Sequence, residues 1–213
     1  MISQEAKHQR KSIRLKDYDY SQNGYYFVTI CTQNRESFFG NISNEKMILN
    51  DAGTMVAKWY HEMQKKFPDI KCDEHIVMPN HFHAIILNVG ADLCVCPKPD
   101  THPDASQGEH IGSPLQRSPL PTIVQWFKTM TTNEYIRGVK QHNWPPFPGK
   151  LWQRNYYERI IRDENELNRI RHYIHYNHLK WEYDQENQNQ IPLEQKKFFW
   201  KEFLNKQRGG SNV

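Results

Sequence analysis

Apolar positions recur along the chain with two different periods, and the changes of period divide it into elements. Asn23–Thr32 reads N-G-Y-Y-F-V-T-I-C-T, a turn followed by aromatic and β-branched residues, and predicts a strand. From Asn50 the spacing becomes helical: Ala52, Met55, Val56, Trp59 and Met63 share a face, Asn50 can cap the start, and Pro68 stands just beyond the end. A strand is expected from about Ile70 to Met78, a turn at Pro79-Asn80, and a returning strand over His81–Leu87. Helical spacing resumes from Thr122 to about Gly138 through Ile123, Val124, Phe127 and Met130. Leu151–Ile161, rich in Trp, Tyr and Ile, predicts another strand. Asp163 then opens a last helix, with Glu166 three residues later in a capping-box arrangement. The order β-α-β-β-α-β followed by one more helix predicts an α+β fold. It fits a ferredoxin-like sandwich, an antiparallel sheet with two helices on one face and the other face left open for function.

The same pattern sets the domain organisation. Asp92 to Pro121 holds half of the twelve prolines among small and polar residues, so residues 92–121 are expected to form a disordered surface loop. Residues 1–22 read as a basic N-terminal arm, 23–184 as one domain interrupted by that loop, and 185–213 as a polar tail. Within the tail, Phe198-Phe199-Trp200 has the character of a short docking helix. A length of 213 residues suits one domain with arms. No window approaches the eighteen or so apolar residues of a membrane span, and the start lacks a secretory signal, so a cytoplasmic location is expected.

Charge refines this picture. The net charge is +4, a mild bias compatible with a polyanionic partner. Lys7, Arg10, Lys11, Arg14 and Lys16 crowd the first sixteen residues against one acid, Glu5. A second group, Arg154, Arg159, Arg162, Arg169 and Arg171, surrounds the last helix. Aromatic residues make up 13% of the chain, so some rings are expected at the surface, where single-stranded nucleic acid stacks. Cys31 and Cys72 fall in predicted strands as ordinary buried thiols. Cys94 and Cys96 lack the C-x-x-C spacing of a zinc or redox site.

The candidate chemistry lies in M-P-N-H-F-H-A-I-I, Met78 to Ile86. Side chains alternate along a strand, so His81, His83, Ile85 and Leu87 share the open face while Phe82, Ala84 and Ile86 face the helices. The two imidazoles stand about the right distance apart to hold one metal ion. A third ligand is needed, and the last helix offers one. Its apolar stripe runs through Leu167, Ile170, Ile174 and Trp181, with Tyr173 and Asn177, four apart, along one edge. The Asn177 amide oxygen would complete a hard metal site with Tyr173 beside it; His175 and His178 are rival ligands on the same helix. A phenol with an ordinary pKa near 10 is a poor nucleophile at neutral pH, and a neighbouring divalent cation corrects that.

These residues resemble a known set. M-P-N-H-F-H is similar to the HUH signature (His, a bulky hydrophobic, His) of single-strand-nicking endonucleases. Y-I-H-Y-N resembles the tyrosine motif of single-tyrosine HUH transposases, nearest to the REP-associated tyrosine transposases. K-S-I-R-L-K-D-Y-D-Y-S-Q-N-G-Y-Y-F-V-T-I-C-T and L-W-Q-R-N-Y-Y-E-R-I-I-R-D-E-N-E-L extend the likeness, which runs from about Lys11 to Trp181. One departure is Asn177-His178, where that branch usually has Asn-Pro. The resemblance implies metal ligands at His81, His83 and Asn177, a nucleophile at Tyr173, and Mg²⁺ or Mn²⁺ as cofactor. It implies metal-assisted nicking and rejoining of single-stranded DNA beside hairpins through a 5′-phosphotyrosine, by a monomer or homodimer. Arg10, Lys11, Arg14 and Lys16 would grip phosphates, with Arg154 and Arg159 beside the active face. Tyr156 or Tyr157 would stack on an unpaired base, the other lying in the core.

Two other functions fit parts of the pattern. A ferredoxin-like domain that binds DNA or RNA hairpins without cutting them would use the aromatic first strand. A metal-dependent hydrolase would activate water at the histidine pair and form no covalent intermediate.

Overall fold

A computed structural model describes residues 18–89 and 118–190. The arm residues Arg10, Lys11, Arg14 and Lys16, most of the expected proline-rich loop, and Phe198-Phe199-Trp200 lie outside the described residues.

β1 (Gly24–Cys31), α1 (Asp51–Lys66), β4 (Ile70–Val77), β5 (His81–Asn88), α2 (Leu120–His142), β6 (Tyr157–Ile161) and α3 (Glu164–His175) form the frame. A short hairpin, β2 (Gly40–Ser43) and β3 (Lys46–Leu49), is inserted between β1 and α1. The main sheet has the order β4-β5-β1-β6, with each neighbouring pair antiparallel. This is the ferredoxin-like arrangement that the element order predicted. β1 and β5 occupy its centre because both faces of each are apolar enough to bury, whereas β4 and β6 alternate with polar residues at the edges.

One face carries Tyr26, Val28 and Ile30 of β1 and Phe82, Ala84 and Ile86 of β5, packed against Met55, Val56 and Tyr60 of α1 and Ile123, Val124 and Phe127 of α2. Asn50 caps α1, its Oδ1 accepting from the Gly53 amide at 2.9 Å. The opposite face departs from expectation. It is covered rather than open: Phe27, Ile85 and Ile161 pack against Leu167 and Ile174 of α3. The apolar stripe of α3 is therefore the interface that roofs the histidine face.

Two ion pairs fix that roof at opposite edges of the sheet. Arg159 of β6 binds Glu166, with Nε to Oε1 at 2.7 Å, and Arg171 binds Asp73 of β4, with Nε to Oδ1 at 2.9 Å. Asp163 caps α3 by accepting from the Glu166 amide at 2.8 Å. Glu166 does not complete the reciprocal box; its carboxylate accepts from the Arg162 amide at 3.0 Å as well as from Arg159.

Other boundaries moved for identifiable reasons. The hairpin escaped the sequence pattern because its strands are only four residues long and half-exposed; its turn residues Asn44 and Glu45 both adopt positive φ, 50° and 59°, as a two-residue hairpin turn demands. α2 begins at Leu120, buried against the core, so the end of the expected loop at 118–121 includes helix. The strand expected from Leu151 is regular only from Tyr157. The carbonyls of Gln153, Arg154 and Asn155 turn inward to the buried Lys128 ammonium at 3.0, 3.3 and 3.3 Å, so they are not laid out for a neighbouring strand. Residues 185–190, expected as tail, include Glu186 and Asn187 packed onto the body. Among the described residues Cys31 and Cys72 are free thiols, half-buried, and no helix is long and apolar enough to cross a membrane.

Candidate metal and tyrosine site

β5 begins at His81, and its register opposite β1 pairs His83 with Thr29 and His81 with Cys31. Both imidazoles point under α3, so they are buried, at 0% and 4% exposure, rather than half-exposed on an open face. Their ring centroids are 4.5 Å apart. Each Nδ1 is held from behind. Thr29 Oγ1 lies 2.8 Å from His83 Nδ1, and Asn80 Oδ1 lies 2.8 Å from His81 Nδ1.

The Asn80 contact fixes a tautomer. Its Nδ2 donates to two backbone carbonyls, those of Arg35 at 3.0 Å and Glu186 at 2.7 Å, and carbonyls only accept. Oδ1 must therefore face His81, whose Nδ1 carries the proton. That leaves the His81 Nε2 lone pair pointing into the site, buried and without a hydrogen-bond partner. Burial, with the Arg35 charge adding to it, pushes the His81 pKa down to about 3, and burial followed by His81 holds His83 well below its ordinary value. Both rings are neutral at physiological pH, the state in which imidazole binds metals.

Asp184 completes the cluster. Its Oδ2 lies 3.9 Å from His81 Nε2, and one ligand atom from each of His81, His83 and Asp184 falls within 4.8 Å of the others. With His81 neutral this is no ion pair: a lone pair and a carboxylate face each other in a buried space with no donor between them. A cation satisfies both. Asn177 adds to the case, since it is 1% exposed and neither atom of its amide is hydrogen-bonded. The residues present thus fit a divalent ion held by His81, His83 and Asp184. His175 is exposed and neither it nor His178 joins this group among the described residues.

Tyr173 sits at the edge of the cluster. Its hydroxyl is 3.4 Å from His83 Nε2, and its ring packs edge-on to Phe27 and His83, with centroids 6.0 and 5.4 Å apart. Burial, then the Asp184 charge, raises its pKa above that of an ordinary phenol. Asn177 pulls the other way; its amide is near enough to favour the phenolate although not in hydrogen-bonding geometry. Lys180 Nζ, 5.7 Å from the Tyr173 ring centroid, is a further nearby cation. A divalent charge at the histidines would outweigh the acidic contribution and favour ionisation.

α3 ends at His175, and a tight 3-10 segment over Asn177–Tyr183 folds the chain back to bring Asp184 over His81. Asp184 left no sequence signal, lying eleven residues beyond Tyr173 in a polar stretch. The H-x-H pattern itself gives no hint that Asn80, one residue before it, sets the His81 tautomer, or that Thr29, on the neighbouring strand β1, backs His83. Of the expected DNA contacts, Arg154 is exposed, and Arg159 is exposed but committed to Glu166. Tyr156 packs against the main core and Tyr157 is 53% exposed, which decides between the two tyrosines.

No protein-family model matches the chain. A solved REP-associated tyrosine transposase bound to a REP hairpin is similar at 16% identity and a TM-score of 0.49, over 80% of this chain and 74% of that one. A Deinococcus radiodurans protein proposed to be a transposase aligns at 14% identity and a TM-score of 0.39, over 77% of this chain and 96% of the other. A Haemophilus influenzae protein, described only as uncharacterized, is 38% identical over 183 residues, spanning 84% of this chain and 93% of its own length. At that identity and coverage, the chain belongs to the same family as the Haemophilus influenzae protein.

Proposed function

We propose that the protein is a single-tyrosine HUH transposase-like enzyme that nicks and rejoins single-stranded DNA beside hairpins. The observation that carries this reading is the convergence of His81, His83 and Asp184 on one buried point, with the Tyr173 hydroxyl 3.4 Å from His83 Nε2. A binding module has no use for an unprotonated buried imidazole facing a carboxylate. Mg²⁺ or Mn²⁺ bound there would supply positive charge to the scissile phosphate. Asn80 keeps the His81 lone pair directed inward, Thr29 holds the His83 ring from behind, and α3 excludes bulk water from the nucleophile. The Tyr173 hydroxyl gives up its proton and its oxygen attacks phosphorus as the bond to the 3′-oxygen breaks, so that the proton lost by the phenol balances the one the leaving oxygen takes up. A 5′-phosphotyrosine forms, and the leaving oxygen takes a proton to become a 3′-hydroxyl. The bond energy is conserved, so a second 3′-hydroxyl can reverse the step and join strands. Arg10, Lys11, Arg14 and Lys16 would grip DNA phosphates, with Arg154 at the exposed side of the domain and Arg159 beside it.

A denaturing gel of the protein with labelled single-stranded hairpin DNA from beside its own gene, in Mg²⁺, Mn²⁺ and chelator lanes, tests this. A metal-dependent labelled protein band that Tyr173→Phe abolishes is the expected outcome. Cutting that survives in Tyr173→Phe would replace the reading with a water-activating hydrolase, and retardation without cutting in any lane would leave a hairpin-binding protein.

A further inference from the structure

A groove runs along the β6 edge of the sheet, beside the tyrosine site. Its inner part, about 290 Å³, is lined by Phe27, Tyr157, Arg159, Glu166, Arg169 and Ile170. Its outer part, about 490 Å³, shares Tyr157, Arg159, Glu166 and Arg169 and continues to Arg162 and Tyr20. The inner end is anchored at the chemistry, because Phe27 stacks on His83 at 5.3 Å and meets Tyr173 edge-on. The register gives the span. Tyr157 is opposite Thr29, and Thr29 is opposite His83, so the three share one row and one face across β6, β1 and β5. Two strand spacings put Tyr157 roughly 10 Å from His83.

The lining has the character of a nucleotide site rather than a leftover gap. Tyr157 is the most exposed of the large hydrophobic side chains among the described residues. An exposed ring on an edge strand beside a reactive tyrosine is a stacking platform for a base of any sequence. Two of the three acids lining the outer part are already committed: Asp163 caps α3, and Glu166 takes the Arg159 side chain and the Arg162 amide, while the carboxylate oxygens of the third, Glu158, are buried away from the open groove. Among the described residues neither the Arg162 nor the Arg169 side chain is in an ion pair, so their positive charge faces the groove. The outer part alone lies within the size range of small-ligand sites.

We propose that this groove holds one unpaired nucleotide flanking the cleaved phosphate, its base stacked on Tyr157 and its phosphate held by Arg162 and Arg169. The assignment rests on the nicking reading above and adds to it a path for the strand.

The test uses the full-length protein with a single-stranded oligodeoxynucleotide containing 5-iodouracil, irradiated and digested for mass spectrometry, alongside fluorescence anisotropy with the same strand. A photo-adduct on the peptide carrying Tyr157 is expected. So are a fall in affinity of about tenfold for Tyr157→Ala, the size of one lost base stack, and near-normal affinity for Tyr157→Phe. Arg169→Gln should lower the salt dependence of binding by about 0.7 in log–log slope, one phosphate contact. Strand binding with adducts only elsewhere and unchanged affinity in Tyr157→Ala would overturn the groove while leaving the nicking reading intact. No binding of any strand by the wild type would overturn both.

Discussion

Removing the Asn80 side chain isolates the contribution of the histidine support. Asn80 is 1% exposed and makes three hydrogen bonds: His81 Nδ1 to its Oδ1 at 2.8 Å, and its Nδ2 to the carbonyls of Arg35 and Glu186 at 3.0 and 2.7 Å. Asn80→Ala strands one buried donor and two carbonyls, and three bonds at about 1 kcal/mol each put the stability loss near 3 kcal/mol. Arg35 adds to this, since it sits at φ 57° and the Asn80 amide helps hold it there. Free of Asn80, the His81 ring can adopt either tautomer and turn its lone pair away from Asp184. Loss of such a supporting contact typically costs about 10- to 100-fold in metal affinity. Urea unfolding would read the first effect and calorimetric titration with Mn²⁺ the second. Asn80→Asp separates them: one carboxylate oxygen still accepts from His81, while the other faces two carbonyls. It should lose stability like Asn80→Ala yet bind Mn²⁺ more nearly like the wild type. Wild-type Mn²⁺ affinity in Asn80→Ala, together with the stability loss, would refute the tautomer assignment and reduce Asn80 to a loop tie.

Two further outcomes follow from the same geometry. Asp184→Asn keeps the side-chain shape but removes the only charged member of the cluster, so Mn²⁺ affinity measured by calorimetry should fall by about tenfold or more while the far-ultraviolet circular dichroism stays unchanged. Arg171→Ala should destabilise the protein by about 1–2 kcal/mol in urea at neutral pH, since it breaks charge-assisted hydrogen bonds to a partly buried Asp73. The Arg171 side chain is what chiefly holds the Asp73 pKa below its ordinary value of 3.8. The stabilisation is therefore fully present above that value and lost as pH falls through the depressed one, so the gap between wild type and variant should close in acid.

The frame was legible because its elements keep one period for long enough to be read. α1 declares itself through Asn50, five spaced apolar residues and Pro68, and β5 through a short apolar run opening on H-F-H just after the Pro79-Asn80 turn. The face assignments of Phe82 and His83 follow from the alternation of side chains along any strand. What stayed hidden depends on contacts between distant parts of the chain. The covering of the histidine face was implicit in the stripe Leu167, Ile170 and Ile174, but a stripe does not say which surface it meets. Asp184 reaches His81 only because the chain tightens after His175, and that turn has no distinctive residue. The single strand expected over Leu151–Ile161 was broken by a buried lysine on another element, Lys128, which takes the carbonyls the ladder would have used.

The two ion pairs that pin α3, one at each edge of the sheet, have a consequence for reaction order. Arg159–Glu166 and Arg171–Asp73 are formed within one chain, as is the apolar contact between them. The tyrosine hydroxyl and the histidines are therefore positioned against each other before any ligand arrives. That positioning lasts only while both edges of the roof hold.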